Sequence, residues 1–174
     1  MMKSEKLQHR FLELYEPIHA QFHRYCEVMV KNEELAKDLQ SDVILAAYEN
    51  FESLRKPESF KYYLFGIARN IFRKKLSRNK MMKQYELSNH EPKQDSGYAA
   101  ELKVDIGLLY EKLELLSAKQ KEALILFEIS GFSLKEIKEI QGDSLSAVKL
   151  RLSRGRQKLR EMLSDTVVNL ADGK

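Results

Sequence analysis

Apolar side chains recur every three or four positions along most of this 174-residue chain, the spacing of one face of an α-helix. Leu7, Phe11, Leu14, Ile18, Phe22 and Val28 or Met29 form the first stripe, over residues 7–30, with Pro17 placed to interrupt or kink it. Leu35, Leu39, Val43, Ala46 or Ala47, and Phe51 form the second, over 33–51. Segment 52–59, ESLRKPES, reads as a loop because Pro57 biases Lys56 away from the α region. A third stripe of Phe60, Leu64, Ile67 and Ile71 predicts a helix beginning at Phe60. The period fails over 79–104, where Asn, Ser, Gly, Pro and Gln collect; this is a linker whose first residues can extend the preceding helix. Helices resume near Ile106, and Ser117 with Gln120 forms a capping box ahead of the apolar run ALILFEISGF.

Residues 133–160, SLKEIKEIQGDSLSAVKLRLSRGRQKLR, predict two short helices around a tight turn. Ser133 and Glu136 form a capping box, and Leu134, Ile137 and Ile140 supply one apolar edge. Gly142 stands where a helix C-terminus favours positive φ, and Ser144 can cap the next helix. In that helix Val148, Leu152, Gly155, Leu159 and Leu163 share one face, while Ser146, Lys149, Leu150, Ser153, Arg154 and Gln157 lie opposite. A helix buried on one side, with short polar and cationic groups on the other, can lie in the major groove of DNA. Lys149, Arg151, Arg154, Arg156, Lys158 and Arg160 also meet no acid at i+3 or i+4 until Glu161, so their repulsion is not offset within the helix.

Composition narrows the class. Gly and Pro are scarce, at 7 and 3, which favours helices over sheets. No apolar run approaches a membrane span, and MMKSEKLQHRFLELY is too often interrupted by charge to be a secretory signal. A single cysteine, Cys26, excludes an internal disulfide and fits a reducing cytoplasm. The net charge of +4 matters less than its distribution: residues 27–59 hold eight acids and four bases, whereas 73–83 and 149–160 hold six bases each and no acid. Two basic stripes suggest contact with a polyanion at two places.

The helix from 60 to 76 interleaves Tyr62, Phe65 and Phe72 with Lys61, Arg69, Arg73 and Lys75. Unpaired bases stack on aromatic rings while cations hold the backbone, so this pattern suits a strand being opened. Phe60 and Tyr63 read as core; Tyr62, Phe65 and Phe72 are open between core and stacking surface.

The segments EELAKDLQSDVILAAYENF and ESFKYYLFGIARNIFRKKL, followed by LSAKQKEALILFEISGFSLKEIKEIQGDSLSAVKLRLSRGRQKLREML, resemble an extracytoplasmic-function sigma factor of the sigma-70 superfamily. FGIARN, residues 65–70, and AVKLRLSRGRQKLRE, residues 147–161, are its most specific pieces. The resemblance implies an all-α chain of two small helical domains joined by a flexible linker: a region 2-like domain over 1–78, the linker over 79–104, and a region 4-like helix-turn-helix domain over 105–174. It implies core RNA polymerase and promoter DNA as partners, the DNA both duplex and melted, with an anti-sigma factor as a partner that often inactivates family members. Asp38, Leu39, Ser41 and Asp42 would dock on the polymerase. Arg55, Lys56, Ser59, Lys61, Tyr62, Arg69, Asn70, Arg73 and Lys74 would serve the minus-10 element, with a base captured near the loop and Asn70. Ser146, Lys149, Leu150, Arg151, Ser153 and Arg154 would face the minus-35 element, Arg151 from the flank.

Four positions depart from the family pattern. Ser41 replaces the usual Gln, and Lys74 replaces a common Asp. Lys138 stands where a small residue is expected between two helices, so it must snorkel or the helices must part. Asp143 replaces an apolar residue, which predicts a looser turn. His19, His23 and Cys26 share one helical face at i, i+4 and i+7, with Glu27 nearby. One straight helix rarely wraps an ion, however, and no metal, cofactor or small-molecule substrate is expected. There is no phosphate-binding glycine loop and no nucleophile–base grouping, so no enzyme is expected either. The alternative is a stand-alone helix-turn-helix regulator, which would need no surface for single-stranded bases.

Overall fold

The computed structural model describes residues 2–79 and 107–172, with side chains placed over 4–78 and 107–164. The linker expected at 79–104 lies outside the described residues apart from its first position, as do Lys80 and Lys83 of the first basic stripe. No strand occurs among the described residues.

The first half is a four-helix cluster. Helix α1 (Met2–Tyr15) passes through a 3-10 turn (Glu16–Ile18) into α2 (His19–Val30). Pro17 sits in the first positions of that turn, where its missing N–H costs nothing, so the long first stripe becomes two helices. Lys31 closes α2 with a left-handed φ of 57°, and the Asn32 side chain caps α3 (Glu33–Glu49) by accepting the Leu35 N–H at 3.0 Å. Two 3-10 turns, Phe51–Ser53 and Pro57–Ser59, lead into α4 (Phe60–Asn79). Phe11 is the hub of this cluster, meeting Tyr48, Phe51 and Phe60 edge-on with centroids 5.4, 5.2 and 5.3 Å away, the arrangement that ring quadrupoles favour.

The second half begins with α5 (107–114). Helix α6 (Ala118–Leu124) widens into a π turn over Ile125–Ile129. Both capping boxes form: Ser117 with Gln120 opens α6, and Ser133 with Glu136 opens α7 (Leu134–Gln141). Gly142 takes φ 65° as expected, and the Ser144 hydroxyl accepts the Ala147 N–H at 3.2 Å at the start of α8 (Leu145–Asp172). Gly155 is where α8 crosses α6: a Cβ there would lie 3.1 Å from Leu124 Cδ1.

Two expectations are revised and one open position is settled. Leu35 is 46% exposed, because α3 buries Ala36, Leu39, Val43 and Ala47, a stripe one residue out of register with it. Phe65, left open between core and stacking surface by its sequence position, is fully buried. Its ring packs on Phe22, Tyr25 and Phe132 at 5.3, 5.0 and 4.7 Å, so the second half of the chain covers it. The turn at Asp143 is tied rather than loosened, since Asp143 pairs with Arg151 at 2.8 Å and with Lys119 at 3.6 Å. Lys138 snorkels as anticipated, reaching an exposed position beside Glu139.

The two halves share one apolar core through α2, α4 and the π turn. Polar contacts line the seam: the Gln21 side chain donates to the Ser130 carbonyl, Lys31 donates to the Tyr110 carbonyl, and Lys121 donates to the Met29 carbonyl at 3.2 Å.

Candidate nucleic-acid interface

Helix α8 presents the face its periodicity predicts. Val148 and Leu152 are buried, as is Gly155, while Ser146, Lys149, Leu150, Ser153, Arg154 and Gln157 are exposed. Leu150, at 48% exposure, adds an apolar group suited to a thymine methyl. Arg151 sits on the flank, partly buried, donating to Gln141 Oε1 at 2.7 Å and pairing with Asp143 at 2.8 Å. The cationic repulsion in this helix is offset from outside it. Arg156 pairs with Glu128 at 2.7 Å and stacks over Phe127 at 4.9 Å, Lys158 donates to the Leu115 carbonyl, and Asp143 takes Arg151. A groove of about 420 Å³ beside α8 is lined by Lys149, Ser153, Arg156, Gln157 and Arg160, over a floor that includes Phe127 and Leu152. These charges continue the exposed face along the helix.

The second surface divides in two. Arg55, Lys56, Asn70, Arg73 and Lys74 are exposed, so the loop and the outer side of α4 are open. Ser59 and Tyr62 are partly buried. Lys61 and Arg69, by contrast, turn into the seam. Lys61 Nζ lies 4.2 Å over the Phe132 ring and 3.9 Å from Glu136. Arg69 Nε lies 3.3 Å from Glu122 Oε2, with both side chains largely out of solvent, and its guanidinium also donates to the Ile140 carbonyl at 3.4 Å. Phe72 is partly buried, with Lys121 Nζ 5.8 Å from its ring.

Burial pushes the Glu122 carboxyl above the usual carboxylate range, against the opposing pull of the Gln141 hydrogen bond and of Arg69, Arg73 and Arg151. Gln141 Nε2 donates to Glu122 Oε2 at 2.8 Å while its carbonyl oxygen accepts from Arg151. A polar chain therefore runs Arg69, Glu122, Gln141, Arg151, Asp143, Lys119, linking α4 to the recognition helix.

On α3, Asp38, Ser41 and Asp42 are exposed on one side. Asp42 pairs with Lys75 of α4 at 2.7 Å. Leu39 is 1% exposed and packs in the core, one turn beneath the exposed acids; as a surface contact that assignment does not hold. The three side chains of this shared helical face differ in exposure. Cys26 is buried, where burial lifts its thiol to about 12, whereas His19 is exposed and His23 is held between Gln40 and Glu27. No group of three such side chains able to hold a metal occurs among the described residues.

Glu122, Lys121, Ser130 and Phe132 carry no local sequence signature of a place in the seam. Their one signal was an apolar run, ALILFEISGF, longer than a helix-turn-helix alone has to bury; two charged residues next to it, Lys121 and Glu122, are nevertheless buried.

Comparison with known proteins accords with this layout. The family model of Sigma-70 region 2 matches residues 14–81, and that of Sigma-70 region 4 matches residues 106–159. Those two regions in that order define a sigma-70-type factor. The ECF RNA polymerase sigma factor EcfG of Rhodopseudomonas palustris is 33% identical over 141 residues, covering 76% of this chain and 73% of that one. The RNA polymerase sigma factor CarQ of Myxococcus xanthus is 30% identical over 146 residues, covering 82% and 83%. The chain belongs to the extracytoplasmic-function (ECF) family of sigma factors. Its fold is that of the sigma factor RpoE of Bartonella quintana, solved with the anti-sigma factor NepR, at a TM-score of 0.67, 24% identity and coverage of 88% of this chain and 98% of that one. No described helix is long and apolar enough to cross a membrane.

Proposed function

We propose that the chain recruits core RNA polymerase to promoters whose upstream element is read by the exposed face of α8, and that its first half holds the melted downstream element. Ser146, Lys149, Leu150, Ser153 and Arg154 would enter the major groove of the minus-35 element, with Arg151 on the shoulder. Arg55, Lys56, Ser59, Lys61, Tyr62, Arg69, Asn70, Arg73 and Lys74 would contact the minus-10 element. Asp38, Ser41 and Asp42 would meet the polymerase, an acidic surface better matched to a protein partner than to DNA. Residues 1–78 and 105–174 would act as the two promoter-reading units. The chain would supply no catalytic group of its own, since bond making belongs to the polymerase. An anti-sigma factor is a fitting further partner, since the RpoE neighbour was solved bound to one.

The observation that carries this reading is the pairing of one exposed polar and cationic face on α8 with a second basic surface on α4 and its preceding loop. A duplex-binding regulator has use for the first and none for the second. The test is co-elution with sigma-free core RNA polymerase on size exclusion. A stable complex that Asp38→Lys weakens supports the docking assignment, and absence of any complex overturns it.

A further inference from the structure

We infer that Asp143 and Gln141 hold the Arg151 guanidinium against the turn between α7 and α8, so that Arg151 makes no phosphate contact at the upstream element. Asp143 is then the positioning residue that withholds it. This inference rests on the assignment of the exposed face of α8 to duplex DNA. Arg151 differs from the other cations of that face. Its side chain is only 16% exposed, and its Nη1 pairs with Asp143 Oδ2 at 2.8 Å and donates to Gln141 Oε1 at 2.7 Å. Lys149 and Arg154 are exposed. Arg151 lies in the direction a helical side chain takes, back towards the N-terminus of its own helix.

Both partners of Arg151 are fixed independently of it. Gly142, at φ 65°, turns the chain out of α7, and the Asp143 N–H returns to the Lys138 carbonyl at 3.3 Å. A helix end of this kind commonly packs an apolar side chain at the position of Asp143. Here the position carries a carboxylate, with Lys119 of α6 3.6 Å from it. Gln141 is 2% exposed. Its Nε2 donates to Glu122 Oε2 at 2.8 Å and to the Lys119 carbonyl at 3.3 Å, which leaves the amide oxygen for Arg151.

Withdrawing Arg151 towards a phosphate would strand the buried Gln141 oxygen and leave Asp143 with Lys119. An unpaired buried acceptor is the larger loss, since an exposed ion pair contributes little. The fixed carboxylate also offsets the guanidinium charge 2.8 Å away, so the pair presents no net charge to the duplex. Contact with the upstream element is left to Ser146, Lys149, Leu150, Ser153 and Arg154, all of them exposed.

The test compares three forms of the full chain: wild type, Asp143→Asn, and the neutralised pair Arg151→Gln with Asp143→Asn. Each is titrated against a fluorescein-labelled duplex of mixed sequence over a range of salt. Asp143→Asn frees one cation for a phosphate, so the slope of log affinity against log salt should steepen by about one. Its advantage over the wild type should then grow about fourfold as salt falls from roughly 200 to roughly 50 mM. The neutralised pair should keep the wild-type slope, because what it removes makes no phosphate contact. An unchanged slope in Asp143→Asn overturns the inference. So does a slope lowered by about one in the neutralised pair, which would mean that Arg151 already holds a phosphate with Asp143 as its support. A purely structural role for Asp143 moves the melting temperature and not the salt slope, and Asp143→Asn decides alone if the neutralised pair does not fold. The duplex titration needs no polymerase, so an absence of new transcript starts would reject the initiation reading and leave this result standing.

Discussion

Arg69 Nε stands 3.3 Å from Glu122 Oε2, a pair that spans the two halves of the chain with both side chains largely withdrawn from water. Removing one partner of such a pair leaves the other charge buried and uncompensated, a penalty of about 3–5 kcal/mol. Arg69→Ala should therefore cost the fold that much, whereas Arg69→Leu with Glu122→Leu should cost far less, because no charge is stranded. Urea unfolding of the two variants against the wild type checks this ordering. Equal losses would show that the pair does not organise the seam.

Asp143 gives the turn a pH signature. The hydrogen bond and charge of Arg151, with Lys119 behind, hold its carboxyl below the ordinary 3.8. A depressed folded value means stabilisation that is present above about pH 3.8 and lost as pH falls through the lower, folded value. Thermal melts from pH 7 to 2 should show the wild type above Asp143→Asn at neutral pH, with the gap closing in acid. A constant gap would mean that the turn is not held by this ionisation.

Gly155 tests the crossing of α6 and α8. A Cβ would already press on Leu124 Cδ1 at 3.1 Å, so Gly155→Val adds two methyl groups where there is no room. Overpacking of this kind costs about 1–3 kcal/mol. Gly155→Ala should be near neutral, because a gain of about 1 kcal/mol in helix propensity opposes the crowding. A fluorescence-monitored urea titration distinguishes them, and a neutral Val would contradict the close approach.

Arg154 and Lys149 are exposed on the recognition face but should differ in what they read. Arg154→Ala is expected to cost about 1–3 kcal/mol and to relax selectivity at one base pair, as for a bidentate guanine contact. Lys149→Ala is expected to weaken all sequences alike and to lower the salt slope by about one, as for a phosphate contact. Binding of promoter variants by the polymerase complex separates the two; uniform weakening by Arg154→Ala would reassign it to phosphate.

Asn70 is exposed on α4, next to Arg69, which turns into the seam. Asn70→Ala should impair promoter opening, read by permanganate reactivity of unpaired thymines, while leaving polymerase binding intact. Equal loss of both would reject a base-capturing role.

Much of this was legible in the chain because local chemistry decided it. Ser117, Ser133, Ser144 and Gly142 act through neighbours within a few residues, so their caps and turn could be read directly and all form as expected. The exposed face of α8 followed from period alone. The burial of Phe65 and the exposure of Leu35 were not decided locally. Period identifies a buried stripe, but it cannot show that a second domain covers the other side of α4, nor fix the register of α3 to within one residue. Glu122 was invisible for the same cause: its partners, Arg69 and Gln141, lie 53 and 19 residues away in sequence, and only the packed seam brings them together.

The most direct measurement adds the purified chain to sigma-free core RNA polymerase and genomic DNA, and maps the 5′ ends of the transcripts. Discrete new starts that share two upstream motifs at a fixed spacing are the predicted result. No new starts, with a core enzyme from the same organism shown to be active with another sigma factor, would contradict it.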